Sequence, residues 1–194
     1  KEDLLARIYT LPAKFGRVFR AGIRKNPNNP LAAELSIICL DNQKKLTVAP
    51  DALKKNLRIY LNEFRLISDA IDILDARVIN FKVDFDIFVD PKFNKTTVVQ
   101  TIIAKIANLL ELKNFQIDQP IIMVDIMNAI INTNGLLTMT AVRIQTVRGV
   151  HDGRVYSNIS FNMDAHTVKG LIIGPPGSIF ELRYPKYDIT GNAS

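Results

Sequence analysis

An α+β fold, with small mixed sheets and helices packed on one face, is what this 194-residue chain predicts. Three observations carry that reading. Ile79 to Val89 alternates apolar and polar residues at period two, the pattern of a half-buried strand. Two other stretches, Leu53 to Phe64 and Val98 to Leu110, repeat apolar residues at three and four, the pattern of amphipathic helices. The segments follow the order helix, hairpin, helix, then strand, helix, helix, strand, hairpin, strand. A boundary near Ser68 divides this order into two subdomains, 1–67 and 68–194.

The elements are justified in turn. Leu4, Leu5, Ile8 and Leu11 share one helical face, and Pro12 ends that helix. Phe15 to Arg24 and Leu31 to Leu40 read as strands, joined through the turn cluster Asn26-Pro27-Asn28-Asn29-Pro30 into a hairpin with a long loop. After a turn at Asp41-Asn42-Gln43, Pro50 opens a helix to about Arg65, since proline suits a first helical turn. Ser68 to Asp75 reads as an acidic connector. The alternating strand then runs to Asp90-Pro91, and a helix follows Asn94 to about Leu112. A short bridge, Phe115-Gln116-Ile117, leads to a second helix. Asp118 or Gln119 is placed to cap it, Pro120 begins it, and Asn134-Gly135 stops it. Leu136 to Val147 is rich in β-branched residues and reads as a strand. Val155 to Phe161 pairs with it in a hairpin, Ile179 to Tyr184 is a last strand, and Pro185 to Ser194 is an extended tail.

Composition excludes several classes. Hydrophobic residues make up 47% and charged residues 23%, an ordinary globular balance. No apolar run is long enough to span a bilayer, and no signal-peptide layout is present, so a soluble chain is expected. The lone Cys39 lies in the apolar run Leu35 to Leu40 and reads as a small buried residue, compatible with a reducing compartment. A chain that starts at Lys1 inside a helical pattern reads as a fragment of a longer protein. The net charge of +6 and pI near 9.5 admit a nucleic-acid or acidic-protein partner. The basic residues are scattered, however, in groups such as Arg17, Arg20, Arg24, Lys25 and Lys44, Lys45, Lys54, Lys55, and form no basic tail.

The search for chemistry yields weak candidates. His151 and His166 sit in turn-like contexts, without the close ligand spacing that zinc requires. Asp84 and Asp86 share one side of a strand with Asp90 nearby. They read either as a metal bridge or as a wet strand face. Asp69, Asp72 and Asp75 form a second acidic group with the same two readings. No phosphate-cradling glycine loop and no nucleophile elbow is present. The sequence therefore nominates no catalytic, cofactor-binding or metal-binding residue.

Binding surfaces are better supported. The segment from Pro120 to Thr133 is apolar on more than one side, and a helix of that kind must be covered on most of its surface. It is either a core helix or an interface, and Ile122, Ile126 and Ile130 form the stripe a second copy would use. Arg20, Arg24 and Lys55, with Arg17, Lys54 and Arg58, either face an acidic partner surface or keep the chain solvated.

One resemblance spans most of the chain, roughly Tyr9 to Ile189. It is carried by Pro12-Ala13-Lys14-Phe15-Gly16-Arg17, Leu66-Ile67-Ser68-Asp69-Ala70-Ile71-Asp72-Ile73, the strand Arg77 to Val89, and Asp90-Pro91-Lys92-Phe93-Asn94. It continues in Phe115-Gln116-Ile117-Asp118-Gln119-Pro120-Ile121 and Tyr184-Pro185-Lys186-Tyr187-Asp188-Ile189. In order and spacing these segments resemble the C-terminal part of T4-type phage baseplate wedge subunits, which are similar to the baseplate J-like proteins of contractile tails. The resemblance implies a structural, non-enzymatic subunit of the virion tail, assembled in the host cytoplasm. It implies homotypic contacts, as in a homodimer, and contacts with sister wedge proteins that link wedges into the ring around the hub. It brings no catalytic residues. Two other classes stay open: a basic nucleic-acid-binding α+β module, which needs aromatics on an exposed sheet face, and a hydrolase built on Asp84 and Asp86.

Overall fold

The computed structural model describes residues 2–29, 32–63 and 70–194. They form an α+β structure of two compact units. The first is Lys1–Arg77 with the short returns Gln116–Asp118 and Pro176–Ser178; the second comprises Val78–Phe115, Gln119–Pro175 and Ile179–Ser194.

In the first unit, helix α1 (Glu2–Tyr9) precedes the antiparallel strands β1 (Arg20–Lys25) and β2 (Ala32–Leu40), with Arg20 opposite Ile38 and Lys25 opposite Ala33. The Asn26 side chain starts the connecting turn by accepting from the Asn28 and Asn29 amides. Asp41 builds the next turn in the same way, accepting from Gln43 and Lys45. It leads to the short strand β3 (Leu46–Thr47) and to helix α2 (Asp51–Asn62), with Pro50 just before its first residue. Strand β4 (Ala70–Asp75) then pairs with β2 in parallel.

That pairing corrects the expected acidic connector. Its last six residues are a strand, with Ile71 and Ile73 turned inward and Asp72 outward. The pairing also moves the boundary. Residues 70–77 belong with the first unit because β4 lies beside β2, whereas the expected division at Ser68 falls outside the described residues. Phe64 and Arg65, the expected end of α2, lie outside them too.

β2 is central, and both of its faces are buried. Leu35, Ile37 and Cys39 pack with Ile8, Leu53, Leu57 and Leu61 from the two helices. On the opposite side, Ser36 lies against Gly177, where an added Cβ would sit 2.8 Å from the serine oxygen. Gly177 also has φ +75°, a conformation that favours glycine. Asp118 fastens this cover: its carboxylate accepts from the Gly177 amide at 2.5 Å, and its own amide donates to Ser178 at 2.8 Å.

The second unit is organised by β5 (Arg77–Val89), whose inward residues Ile79, Phe81, Val83, Phe85, Ile87 and Val89 are all buried, as the alternation predicts. Helix α3 (Lys95–Leu109) is capped by Asn94, whose side chain accepts from Thr97, and it buries Val98, Ile102 and Ile106. The next elements are β6 (Ile121–Ile122), helix α4 (Met123–Ile131), and β7 (Leu136–Thr146), which runs antiparallel to β5. A small hairpin follows, β8 (Val150–His151) with β9 (Arg154–Val155). Strands β10 (Thr167–Val168) and β11 (Leu171–Ile172) form a three-stranded sheet with β6. β12 (Ser178–Glu181), the helical turn α5 (Pro185–Asp188) and β13 (Ile189–Ala193) end the chain. β12 and β13 both pair with β5, as does β7, so this strand serves three partners along two edges.

Three expectations are corrected here. The helix expected from Pro120 starts at Met123, because Ile121 and Ile122 pair with β11; neither Asp118 nor Gln119 caps it. Val155 to Phe161 is not a strand against β7. Only Arg154 and Val155 are in a strand, and beyond them the Ser157 amide is claimed by the Asn80 side chain at 2.7 Å. The expected extended tail forms a helical turn and then the parallel strand β13, with Ile189 opposite Val83 and Ala193 opposite Ile87.

Gly191 lies opposite Phe85, and an added Cβ there would come within 2.2 Å of the ring. The ring is fully buried and has nowhere to move. Chemical denaturation of Phe85→Ala is expected to show a loss of roughly 3–5 kcal/mol, the usual cost of emptying a packed aromatic site. Gly191→Ala should also destabilise, by steric overlap. Asp84→Asn, on the polar face, should cost less, no more than about 1.5 kcal/mol, because an amide oxygen can still accept from Thr190.

Candidate functional site

The apolar stripe expected to form an interface is divided by the fold. Ile126 and Ile130 are 0% exposed. They lie on α4, which packs against α3 and β7, so this chain already covers them. Ile122 is 42% exposed, but it sits in β6 rather than on the helix. The stripe therefore cannot serve as one two-fold contact. The most exposed apolar residues of this region are Ile122, Val124 and Ile131.

The basic set is divided as well. Arg24 lies opposite Glu34 in the β1–β2 register and forms an ion pair with it, donating from Nε at 2.6 Å to a carboxylate that is almost buried. Arg20 lies over the Phe19 ring, 4.2 Å from its centroid, and donates to the Phe19 carbonyl. Lys54 reaches Asp75 at 2.7 Å and Asp51 at 3.5 Å, and the hydrogen bond to Asp75 raises its pKa. Lys55 and Arg58 are exposed on α2, as is Arg17 on the loop before β1.

The acidic strand face is engaged from both sides. Asp84 accepts from the Thr190 hydroxyl and pairs with Lys82. Asp86 pairs with Arg143 at 2.8 Å and accepts from Asn192 at 2.9 Å; the Asn192 hydrogen bond, followed by Arg143, lowers its pKa. Asp90 accepts from the Lys92 amide in the turn before α3, and Asp72 accepts from Asn26. His151 and His166 bond to nearby carbonyls, those of Arg148 and Asn162. The Cys39 thiol is buried, which raises its pKa, and it lies 3.4 Å from the Arg17 carbonyl. Among the described residues, no group of three or more His, Cys, Asp or Glu is placed to hold a metal ion. Phe81 and Phe85 are fully buried and cannot stack on bases.

Sequence reasoning missed a buried polar network. Asn80 occupies a position that the alternation marks as wet. It is nevertheless buried, bonding to Glu181 at 2.8 Å and to the Ser157 amide. Glu181 is buried too and pairs with Arg183 at 2.9 Å. Beside them, the Tyr156 hydroxyl donates to buried Asp188 at 2.6 Å, whose other oxygen accepts from the Tyr184 amide. Tyr184 stacks edge-on against Tyr156, and Arg154 lies over the Tyr187 ring. No local pattern announces this network, because its members come from three distant segments, around Asn80, Tyr156 and Tyr184. Chemically it is a latch: burial first, then the bond to Asp188, pushes the Tyr156 phenol up to about 12, so it acts as a fixed donor and not as a base.

No protein-family model matches the chain, and no curated protein matches it. Among the described residues, no helix is long and apolar enough to cross a membrane.

Three outcomes follow. Ile126→Asp should lower stability by several kcal/mol, because it buries an unpaired charge, whereas Ile122→Asp should leave the melt nearly unchanged; circular dichroism distinguishes them. A spectrophotometric titration should show one phenol ionising near pH 12, later than ordinary tyrosines at about 10. Since the folded pKa lies above the unfolded one, this phenol's contribution is complete below about pH 10 and is lost as the pH rises towards 12. Tyr156→Phe should cost about 1–3 kcal/mol by leaving Asp188 short of a donor.

Proposed function

We propose that this chain is a structural, non-enzymatic subunit of a contractile-tail baseplate wedge, acting through contacts with sister wedge proteins and with further copies of itself. The observation that carries the reading is the ordered set of segments resembling T4-type wedge subunits, which runs through both units. Those segments do architectural work in this fold. Asp90 to Asn94 forms the turn and cap that start α3. Phe115 joins the aromatic core around Phe81, and Ile117 lies against Gly22 in the first unit. Tyr184 to Asp188 builds the Tyr156–Asp188 latch. A resemblance held by residues that shape the fold, and not by a reactive group, favours a scaffold over an enzyme.

The placement of charge supports the same reading. The acids of β5 are taken up by Thr190, Asn192, Lys82 and Arg143, and the two histidines bond locally. The exposed cations Arg17, Lys55 and Arg58 suit an acidic partner surface, where charge steers encounter more than it sets affinity.

The test is assembly. Mixed with the other wedge proteins of a contractile tail, the chain should enter a defined complex in sedimentation velocity. The triple variant Arg17→Glu, Lys55→Glu, Arg58→Glu should assemble at least tenfold more slowly at low salt while its melt stays unchanged. Failure of the parent chain to enter any wedge complex would refute the assignment. Equal rates for parent and variant would remove electrostatic docking from it.

A further inference from the structure

The second unit leaves one long strand edge open. β7 has 11 residues, and among the described strands only β5 pairs with it. Its hydrogen-bonding phase follows from one contact. The Val147 amide donates to the Asn80 carbonyl at 3.0 Å, in the register that places Phe81 opposite Thr146. Bonded and non-bonded pairs alternate along an antiparallel ladder. Lys82–Gln145 and Asp84–Arg143 are therefore bonded pairs, while Val142, Ile144 and Thr146 turn their backbone N–H and C=O away from β5. The side chains of Val142 and Ile144, opposite Phe85 and Val83, lie on the core side.

A groove of about 430 Å³ runs along this edge. Val142, Ile144, Met123, Met163 and Ile172 give it an apolar lining, and Asp164 lies among the polar residues that line it. The sequence expects Val155 to Phe161 to pair with β7; instead the Asn80 side chain takes the Ser157 amide, and the segment meets β7 only at its end, where the Phe161 carbonyl accepts from the Thr146 hydroxyl at 2.6 Å, so no strand pairs along Val142 and Ile144.

We propose that this edge is a strand-addition site for an extended segment of a partner polypeptide, alternating apolar and polar residues and carrying a Lys or Arg at one flank. Unpaired N–H and C=O groups in a row are complemented by another extended backbone, which supplies the same groups at the same spacing. The apolar lining selects apolar side chains at every second position. The flanking charge comes from Asp164: the other ionisable group on the groove, Arg143, is committed to Asp86, whereas Asp164 is exposed and forms no ion pair among the described residues. A second copy is a poor occupant: the one cation on its own β7, Arg143, is committed to Asp86 and is not free to meet Asp164. This inference goes beyond the wedge assignment and does not depend on it, since it rests on the strand edge, its apolar groove and Asp164.

The probe is a synthetic heptapeptide of alternating valine and threonine with a lysine at each end, added to the 194-residue chain and followed by amide hydrogen exchange in NMR. The peptide should slow exchange at Val142 and Ile144 at least tenfold and leave Arg143 and Gln145, already bonded to β5, unchanged. The same peptide methylated on every backbone nitrogen should do neither. Asp164→Lys, an exposed change that leaves the fold intact, should weaken binding at least threefold at low salt. The proposal is overturned by an absence of protection at millimolar peptide, by equal protection from the methylated peptide, or by undiminished binding to Asp164→Lys. Slow exchange at Val142 and Ile144 in the chain alone also overturns it, whether constant (an edge already filled) or rising with concentration (a second copy).

Discussion

The second unit depends on one constraint: β5 must bury an entire face while satisfying both of its edges. Six alternate side chains on that face are inaccessible to water, and two are phenylalanines. Their rings set the aromatic contacts of this core. Phe81 meets Phe180 and Phe115 edge-on, with centroids 6.2 and 6.3 Å apart, and Phe180 in turn meets Phe161. Such pairs contribute beyond simple burial, each on the order of 0.5–1.5 kcal/mol. A strand buried this way cannot slip by one residue, because the slip would turn Lys82, Asp84 and Asp86 into the core. The parallel strand β13 is positioned as a consequence. Gly191 is the residue that fits over the Phe85 ring, so the register of the last strand is steric before it is hydrogen-bonded.

The first unit meets a similar demand differently. β2 is short of partners in its own neighbourhood: β1 and β3 pair with it locally, and the opposite side of the sheet is completed by β4 after an intervening helix. Its second face is covered by two short returns of the chain, 116–118 and 176–178. Each return brings little apolar surface, so polar fastening matters. Asp118 adopts a left-handed conformation, φ +65°, and in doing so turns its carboxylate to the Gly177 amide. An aspartate tolerates that conformation better than most residues, and the hydrogen bond stabilises the conformer in place.

How much of this was legible follows from the range of each signal. The alternation of β5 and the apolar face of α2 are local patterns; the first marks its buried apolar residues correctly, and the second does so at Leu53, Leu57 and Leu61. The parallel strands β4 and β13 were not legible as pairs. Their partners lie far away in the chain, Ala32 opposite Ala70 and Val83 opposite Ile189, and no turn chemistry links them. β6, β10 and β11 have two residues each, too few to show any period. Periodicity identified Ile126 and Ile130 as needing cover, but it carries no information on whether the cover comes from the same chain. Asn80 shows the converse failure. Its position in the alternation is wet, and it is buried by Glu181 and Ser157, which the alternation cannot see.

The same distinction explains why the acidic face of β5 is architecture. Asp84 and Asp86 stand on one side of the strand at the spacing a metal bridge would use, which is what the sequence shows. The structure adds what stands beside them. Thr190 lies opposite Asp84 and Asn192 opposite Asp86 in the β5–β13 register, and each donates to its own aspartate. On the other edge, Arg143 lies opposite Asp84 and reaches diagonally to Asp86. The two carboxylates therefore form side-chain rungs that repeat the backbone ladder, tying β13 and β7 to the strand between them. A cation entering between them would have to displace these donors. A hydrogen-bonded rung needs an acceptor and gains from a full negative charge, so acids at this spacing serve the sheet as they stand.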